Sequence, residues 1–344
     1  TGSEQAIYAS VCYLMGENIL YEKNYDVLVQ IVAEKSVIRH VSKHRKPDGS
    51  FDLEGNKKIW NDAIARFRQI PLWAKGAPGF DDRDPLQTQP SMIFIPAQGV
   101  SEKRGTIVVA HGGGFESRTG CEGMHVAKYF ADAGFNCAIL TYRLAPYSRF
   151  DAINDMQRCI RLLRQNSAEL GITQRVAVMG FSAGGMLSAN CATLYDFGDA
   201  DAKDPIDRQS CRPDAAVLGY GAFAVVAYPG GFFMNPFGDP EETLTGMGGV
   251  QITRRQRLLL APEANITCDT PPFFIWQTNS DDPRNAFATG YALTMAGVPF
   301  EMHCFPEGVH GLALADGEND LAMNIPHIGH WAQLCAEWLE EQNI

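Results

Sequence analysis

A short glycine-rich segment, Gly-Phe-Ser-Ala-Gly-Gly at residues 180–185, limits the fold of this chain more than any other part of the sequence. The apolar run at residues 175–179 is typical of a strand buried on both faces, and residues 186–194 suit a helix. Glycines two positions before and after Ser182 predict a nucleophile elbow, because this strained turn leaves no room for side chains there. A helix that begins near Gly184 would direct its amide groups at negative charge beside the serine.

The composition excludes several classes of partner. The 344 residues are 45% hydrophobic and 20% charged, which is enough for one large α/β core. The net charge of −11 disfavours nucleic acid and anionic membrane surfaces, because both would repel the chain, and leaves a small molecule as the expected partner. No stretch is long and apolar enough to span a bilayer.

The cysteines indicate a reducing environment. The chain has nine of them, an odd number without a Cys-x-x-Cys pair, and most fall in apolar patterns. This predicts buried, reduced thiols and a cytoplasmic location. The first residues do not resemble a secretory leader, although a chain from which a signal peptide had been removed would look the same.

The chain divides into an N-terminal extension and one α/β domain. Residues 1–69 carry helical periodicity and predict a helical extension, which packs on the main domain or overhangs the active site. Residues 70–344 alternate strands and helices, which favours a mostly parallel sheet with helices on both faces. Residues 223–267 form an insertion rich in Gly, Pro and aromatic residues, suited to cover a pocket. The predicted strands are 91–96, 106–110, 136–142, 175–179, 215–220, 273–276 and 300–305, and the predicted helices are 126–133, 152–170, 186–194, 286–295 and 328–341.

A second motif, Ala-His-Gly-Gly-Gly-Phe at residues 110–115, directly follows a predicted strand. Three successive glycines lack side chains, so their backbone N–H groups can converge on one oxyanion. We expect the amides of Gly113, Gly114 and Ala183 to form this oxyanion hole. A phosphate cradle is disfavoured, because neither Gly-x-Gly-x-x-Gly nor a following Lys-Ser/Thr is present. His111 is expected to orient the loop rather than act as a base.

The remaining catalytic groups are predicted late in the chain. Of the eight histidines, only His310 and His111 follow a strand in a Gly-rich loop, so His310 is the candidate base. Its imidazole needs a carboxylate, and the loop after the preceding strand offers two. Asp281 comes first after the strand and is favoured, whereas Asp282 is the alternate, since Asp before Pro also suits a helix start.

These motifs, and the chain order of serine, aspartate and histidine, resemble the α/β-hydrolase superfamily. Within it the sequence is similar to the esterase and lipase group with a His-Gly-Gly-Gly-Phe loop, and most similar to bacterial acetyl esterases and acetylxylan-esterase-like carbohydrate esterases. Two features depart from this pattern. The acid loop often ends in Val-Pro in the family but reads Asp-Pro-Arg-Asn here, and residues 1–69 match no family feature. The similarity covers residue 70 to the C-terminus, with matching segments at 71–79, 111–115, 142–146, 180–185, 296–299 and 308–311.

The resemblance implies a serine hydrolase, specifically a carboxylesterase for short-chain and foremost acetyl esters, with acetylated hemicellulose oligosaccharides as a substrate class. It would act through Ser182, His310 and Asp281 and form an acyl-enzyme, without metal or other cofactor. Phe115 and Tyr220 are expected to contact substrate. An amidase or formamidase of the same fold, acting on a small N-acyl substrate, is the alternative, and a catalytically inactive binding protein is a third reading. Association into a homo-oligomer stays open.

Overall fold

The computed structural model of the chain describes residues 38–39, 46–50, 52–81, 87–221, 239–245 and 250–344. The strands in these residues are β1 (Ile38–Arg39), β2 (Arg68–Pro71), β3 (Ser91–Ile95), β4 (Thr106–Ala110), β5 (Arg118–Thr119), β6 (Asn136–Thr141), β7 (Val176–Phe181), β8 (Ala215–Gly219), β9 (Thr243–Thr245), β10 (Gln251–Thr253), β11 (Phe273–Thr278) and β12 (Phe300–Phe305). The helices are α1 (Leu53–Ile64), α2 (Val126–Asp132), α3 (Arg149–Gln165), α4 (Ser167–Leu170), α5 (Ala183–Thr193), α6 (Arg254–Leu259), α7 (Pro262–Asn265), α8 (Arg284–Ala296) and α9 (Pro326–Glu341), and a π-helical turn, Cys121–His125, leads into α2.

Eight of the strands form one sheet in the order β12-β11-β8-β7-β4-β6-β3-β2. The pairs β2–β3 and β3–β6 are antiparallel, and the other neighbours in the sheet are parallel. The central strands β4, β7, β8 and β11 are buried along their whole length, which explains their continuous apolar sequences. The predicted fold class, an α/β fold with a mostly parallel sheet, is confirmed.

Alternate residues of each central strand enter two separate cores. In β7, Val176 and Val178 join the core that contains α3, α5 and α8. Ala177, Met179 and Phe181 join the core that contains α2 and α9. This twofold alternation, with apolar residues on both sides, is why the strand shows no polar face in the sequence.

The predicted strands of the sheet agree with the observed ones to within two residues at each end, but helices begin up to three residues earlier than predicted. Helix α3 starts at Arg149 because Ser148 and Asp151 form a capping box, in which Ser148 Oγ accepts from the Asp151 amide and Asp151 Oδ2 accepts from the Ser148 amide. The same helix was predicted to run to residue 170, but it is interrupted at Asn166, after which α4 follows.

Parts of the predicted extension and insertion lie outside the described residues, including the helical patterns near residues 7–14 and 27–32. Of residues 1–69, the structure contains α1 and the two-residue strand β1, which pairs with β5. The sheet begins at Arg68, so residues 68 and 69 belong to the sheet rather than to the extension. Within the predicted insertion, the described residues form the antiparallel pair β9–β10 and the short helices α6 and α7.

Cysteine side chains lie mostly in the interior. Of the eight cysteines in the described residues, six are buried, Cys304 is partly exposed and Cys268 is exposed. This distribution agrees with the prediction that most are packed as small apolar groups. As for membrane helices, no described helix has both the length and the apolarity needed to cross a bilayer.

A buried ion pair fastens the loop after β6 to α3. The side chains of Arg143 and Asp155 are 1% and 0% exposed, and Arg143 Nη2 donates to Asp155 Oδ1 at 2.7 Å. The backbone N–H of Arg143 donates to the same carboxylate at 2.8 Å, and Nη1 donates to the carbonyl of Pro78 at 2.7 Å. The pair therefore joins three segments that are distant in the chain.

Asp155→Asn is expected to lower the free energy of unfolding by about 3 kcal/mol, because the buried Arg143 guanidinium loses its closer counter-charge and keeps only Asp151, whose Oδ1 lies 3.4 Å from Nη1. The measurement is urea unfolding followed by circular dichroism. A matched control is Asp62→Asn, which removes the partner of Lys58 in a pair whose side chains are 66% and 77% exposed. We expect a much smaller loss there, and equal losses in both variants would contradict the role of the buried pair.

Candidate active site

Ser182 occupies a strained turn between β7 and α5. Its φ of 53° and ψ of −120° lie in a region that residues other than glycine rarely adopt. A side chain at Gly180 would collide with the carbonyl of Gly184, and one at Gly184 would collide with the carbonyl of Ala110. The Ser182 amide donates to the carbonyl of Gly219 at 3.0 Å, which holds the turn against the neighbouring strand. The predicted elbow geometry is therefore present.

Ser182, His310 and Asp281 form a continuous chain of hydrogen bonds. His310 Nε2 lies 2.7 Å from Ser182 Oγ, and His310 Nδ1 lies 2.7 Å from Asp281 Oδ2. The alternate acid, Asp282, points elsewhere, because its carboxylate oxygens bind the Arg284 guanidinium at 2.6 and 2.9 Å. The structure thus brings together the three side chains that the sequence favoured, and separates the alternate from the imidazole.

The surroundings of His310 favour its protonated form. Desolvation by the surrounding protein opposes the charge, but the hydrogen bond and the negative charge of Asp281 outweigh it, and Glu122 adds a smaller attraction. Together they raise the pKa of His310 above its ordinary value of 6.5. An imidazole with a raised pKa is a stronger proton acceptor.

The three successive glycines lie against the elbow. A side chain at Gly112 would come within 2.9 Å of Ser182 Cβ, so the loop after β4 and the serine are in direct contact. Gly113 and Gly114 have φ angles of 123° and 66°, and the Gly113 carbonyl accepts from the Ser117 amide at 2.9 Å, which folds the loop back. The N–H groups of Gly113, Gly114 and Ala183 donate no hydrogen bond within the described residues. They remain available to an oxyanion beside Ser182 Oγ.

His111 is a structural residue of this loop. It is 3% exposed, and its ring stacks on Tyr142 with the centroids 4.8 Å apart. Burial, and then the positive charge of Arg118, lower the pKa of His111 to about 3, so its ring is neutral. Its Nδ1 lies 3.1 Å from the carbonyl of Gly112. These contacts suit the expected loop-orienting function and not that of a base.

The two predicted substrate contacts are both buried. Tyr220 is 1% exposed, and its hydroxyl donates to Glu122 Oε1 at 2.8 Å and accepts from the Ala313 amide at 2.9 Å. The hydroxyl of Tyr220 is therefore already used inside the protein, and a contact of its ring with substrate stays a prediction. Phe115 is 6% exposed, and the Cζ atom of Arg149 lies over its ring, 5.2 Å from the ring centroid. Its contact with substrate stays a prediction.

Sequence reasoning missed Glu122, a buried carboxylate beside the oxyanion loop. The only signal was an isolated acidic residue in the small and apolar segment Gly-Cys-Glu-Gly-Met at residues 120–124. No three His, Cys, Asp or Glu side chains of the described ranges are grouped in a way that could hold a metal ion.

Comparisons with known proteins place this site in a family. The BD-FAE family model matches residues 92–286, more than half of the chain. Endo-1,4-beta-xylanase B of Butyrivibrio fibrisolvens is 27% identical in an alignment of 314 positions that covers 86% of this chain and 45% of that protein. Acetylxylan esterase of Xylanibacter ruminicola is 23% identical in an alignment of 236 positions that covers 65% of this chain and 44% of that protein. The chain thus spans somewhat less than half the length of these two relatives.

Among solved structures, the acetyl ester-xyloside bifunctional hydrolase from Caldicellulosiruptor lactoaceticus superimposes with a TM-score of 0.67 at 31% sequence identity. The superposition covers 80% of this chain and 96% of that one. The protein therefore belongs to the BD-FAE family and has the α/β-hydrolase fold.

Proposed function

We propose that the protein is a serine carboxylesterase that hydrolyses short-chain acyl esters, foremost acetyl esters. The observation that carries this proposal is the unbroken hydrogen-bonded chain of Ser182, His310 and Asp281. It lies beside backbone amides that have no acceptor in the described residues. A nucleophile, a base, an orienting acid and an oxyanion site at one place are the parts that acyl transfer requires.

In the proposed mechanism, His310 Nε2 accepts the Ser182 proton as Oγ attacks the ester carbonyl. The amides of Gly113, Gly114 and Ala183 donate to the oxyanion of the tetrahedral intermediate. The alcohol departs with the proton held on His310, and an acyl group remains on Ser182. A water molecule, deprotonated by the same imidazole, then attacks the acyl-enzyme and releases the carboxylic acid.

Asp281 has two functions in this sequence. Its hydrogen bond to Nδ1 keeps the other nitrogen, Nε2, free to accept the proton from Ser182. Its charge stabilises the imidazolium that forms in each step, in line with the raised pKa of His310.

The relatives support acetylated xylo-oligosaccharides as the substrate class. One relative is named an acetylxylan esterase, and the structural neighbour at 31% identity is named an acetyl ester-xyloside bifunctional hydrolase. We therefore include acetyl esters of xylose-containing oligosaccharides among the proposed substrates of this protein.

Ser182→Ala is expected to reduce kcat for 4-nitrophenyl acetate by about 10⁴-fold or more, because the variant has no nucleophile. The wild-type protein should also react with a fluorophosphonate probe, and the variant should not. Circular dichroism of the variant checks that the fold is retained. Wild-type hydrolysis by a folded Ser182→Ala protein would refute the proposed function, and failure of the wild type to react with either reagent would favour a binding protein.

Asp281→Asn is expected to lower kcat by about 10³- to 10⁴-fold, because an amide neither stabilises the imidazolium nor holds the required tautomer. The acid limb of kcat/KM should lie above pH 6.5 in the wild type, since the base works only when neutral and its pKa is raised. Loss of the Asp281 charge should move this limb to lower pH. The neighbouring variant Asp282→Asn is the matched control and should stay within about threefold of wild type; the opposite pattern would assign the acid to Asp282.

The substrate class is tested by a panel of esters and one amide. We expect a kcat/KM for 4-nitrophenyl acetate about tenfold or more above that for the butyrate ester, and release of acetate from acetylated xylo-oligosaccharides. Formanilide should be a poor substrate. A higher kcat/KM for formanilide than for the acetate would replace the esterase with the amidase alternative.

A further inference from the structure

Glu122 is a buried carboxylate beside the candidate active site. It lies in the π-helical turn before α2 and is 2% exposed. No Lys or Arg of the described residues forms an ion pair with it, although burial of an unpaired charge is strongly unfavourable. The proposed mechanism does not use this group, so its position calls for a separate explanation.

The hydrogen bonds around Glu122 all point toward its carboxylate. The backbone N–H of Gly112 donates to Oε2 at 2.6 Å, and the hydroxyl of Tyr220 donates to Oε1 at 2.8 Å. The Tyr220 oxygen also accepts from the Ala313 amide at 2.9 Å, so this hydroxyl is bonded on both its donor and its acceptor side. Both carboxylate oxygens accept a hydrogen bond, and such bonds stabilise the ionised form.

These bonds connect the two loops on which the proposed reaction depends. Gly112 begins the glycine run that carries the oxyanion donors and lies directly against Ser182. Ala313 lies three residues after His310, in the loop that carries the imidazole. Between them, the ring of Tyr220 meets the ring of His310 edge to face, with the centroids 5.2 Å apart. A single carboxylate thus holds the oxyanion loop directly and the histidine loop through Tyr220.

The charge of Glu122 also acts on the imidazole. His310 faces two carboxylates, Asp281 in direct contact and Glu122 farther away, and both favour its protonated form. Glu122 in turn faces Tyr220, the Gly112 amide and the more distant carboxylate of Asp320. Burial raises the pKa of Glu122, while the hydrogen bond from Tyr220 and the attraction of His310 oppose this rise.

We propose that Glu122 is a positioning residue of the esterase reaction: it aligns the oxyanion loop through Gly112, aligns the histidine loop through Tyr220, and favours the positive charge that His310 acquires. The proposal rests on the esterase function proposed above. It assigns to Glu122 no contact with substrate and no proton transfer.

Glu122→Gln tests this directly, because the glutamine keeps the size of the side chain but loses the charge and one acceptor. We expect kcat for 4-nitrophenyl acetate to fall about 10- to 100-fold with KM changed less than about threefold, as for displaced catalytic groups. In the pH profile of kcat/KM, the acid limb should move to lower pH by roughly 0.5–1 unit, since the pKa of His310 falls when a nearby negative charge is lost. A purely structural residue would not move this limb.

Two further variants keep the test decisive. Tyr220→Phe removes only the hydroxyl that links Glu122 to Ala313, so it should lower kcat about 3- to 10-fold even if Glu122→Gln does not fold. When both singles fold, the double variant should be no slower than the slower single, because the two residues act in one chain of hydrogen bonds.

The possible outcomes separate this proposal from the esterase proposal. If wild type is active and Ser182→Ala is not, but Glu122→Gln and Tyr220→Phe retain wild-type kcat and pH profile, the function of Glu122 is refuted and the esterase stands. If the fall in kcat of Glu122→Gln is fully explained by the fraction of unfolded protein, measured by thermal unfolding, Glu122 has only a structural function and the proposal is refuted. If wild type itself is inactive toward all esters, the esterase proposal fails.

Discussion

The backbone segments around Ser182, at the end of β7, pack so closely that they determine the positions of the other groups of the site. Ser182 takes up a strained conformation there, at a cost of about 1–3 kcal/mol, which the fully buried β7 and α5 can sustain. The approach also brings Gly184 against the carbonyl of Ala110, the last residue of β4. Because the oxyanion loop begins at the next residue, the same contact that strains the serine sets the amide donors beside it.

The parallel sheet explains how residues far apart in sequence reach the serine. Strands β4, β7, β8, β11 and β12 run in the same direction, so the loops after them emerge at one edge. The histidine strand β12 is three positions from β7, roughly 14 Å at the usual strand spacing, so its loop must extend back over the ends of β11 and β8. Tyr220 follows directly after β8, and its position under the returning loop accounts for its contact with His310.

Local patterns in the sequence predicted the sheet, the elbow and the order of the three principal side chains, because each depends on apolar periodicity or on glycines at fixed spacing. The choice of Asp281 over Asp282 also followed from the chain, since the residue nearer the strand end reaches the imidazole and Asp282 turns to Arg284. The burial of the Tyr220 hydroxyl was not readable from the chain, because its partners are residues 122 and 313, which are distant in sequence. Glu122 was missed because its contacts come from residues 112 and 220, which no short segment brings together.

The two carboxylates near His310 differ in burial, and this difference gives them different effects. Asp281 is 23% exposed and touches the imidazole, so solvent moderates its charge while its hydrogen bond fixes the tautomer. Glu122 is 2% exposed, so solvent screens its charge less, and its attraction for His310 acts across a longer distance although it is smaller than that of Asp281. In the resting state its burial is unfavourable and is offset by the Gly112 and Tyr220 donors. When His310 becomes a cation, the charge of Glu122 gains a partner, so the attraction strengthens on the way to the transition state, and only interactions that strengthen there lower the barrier.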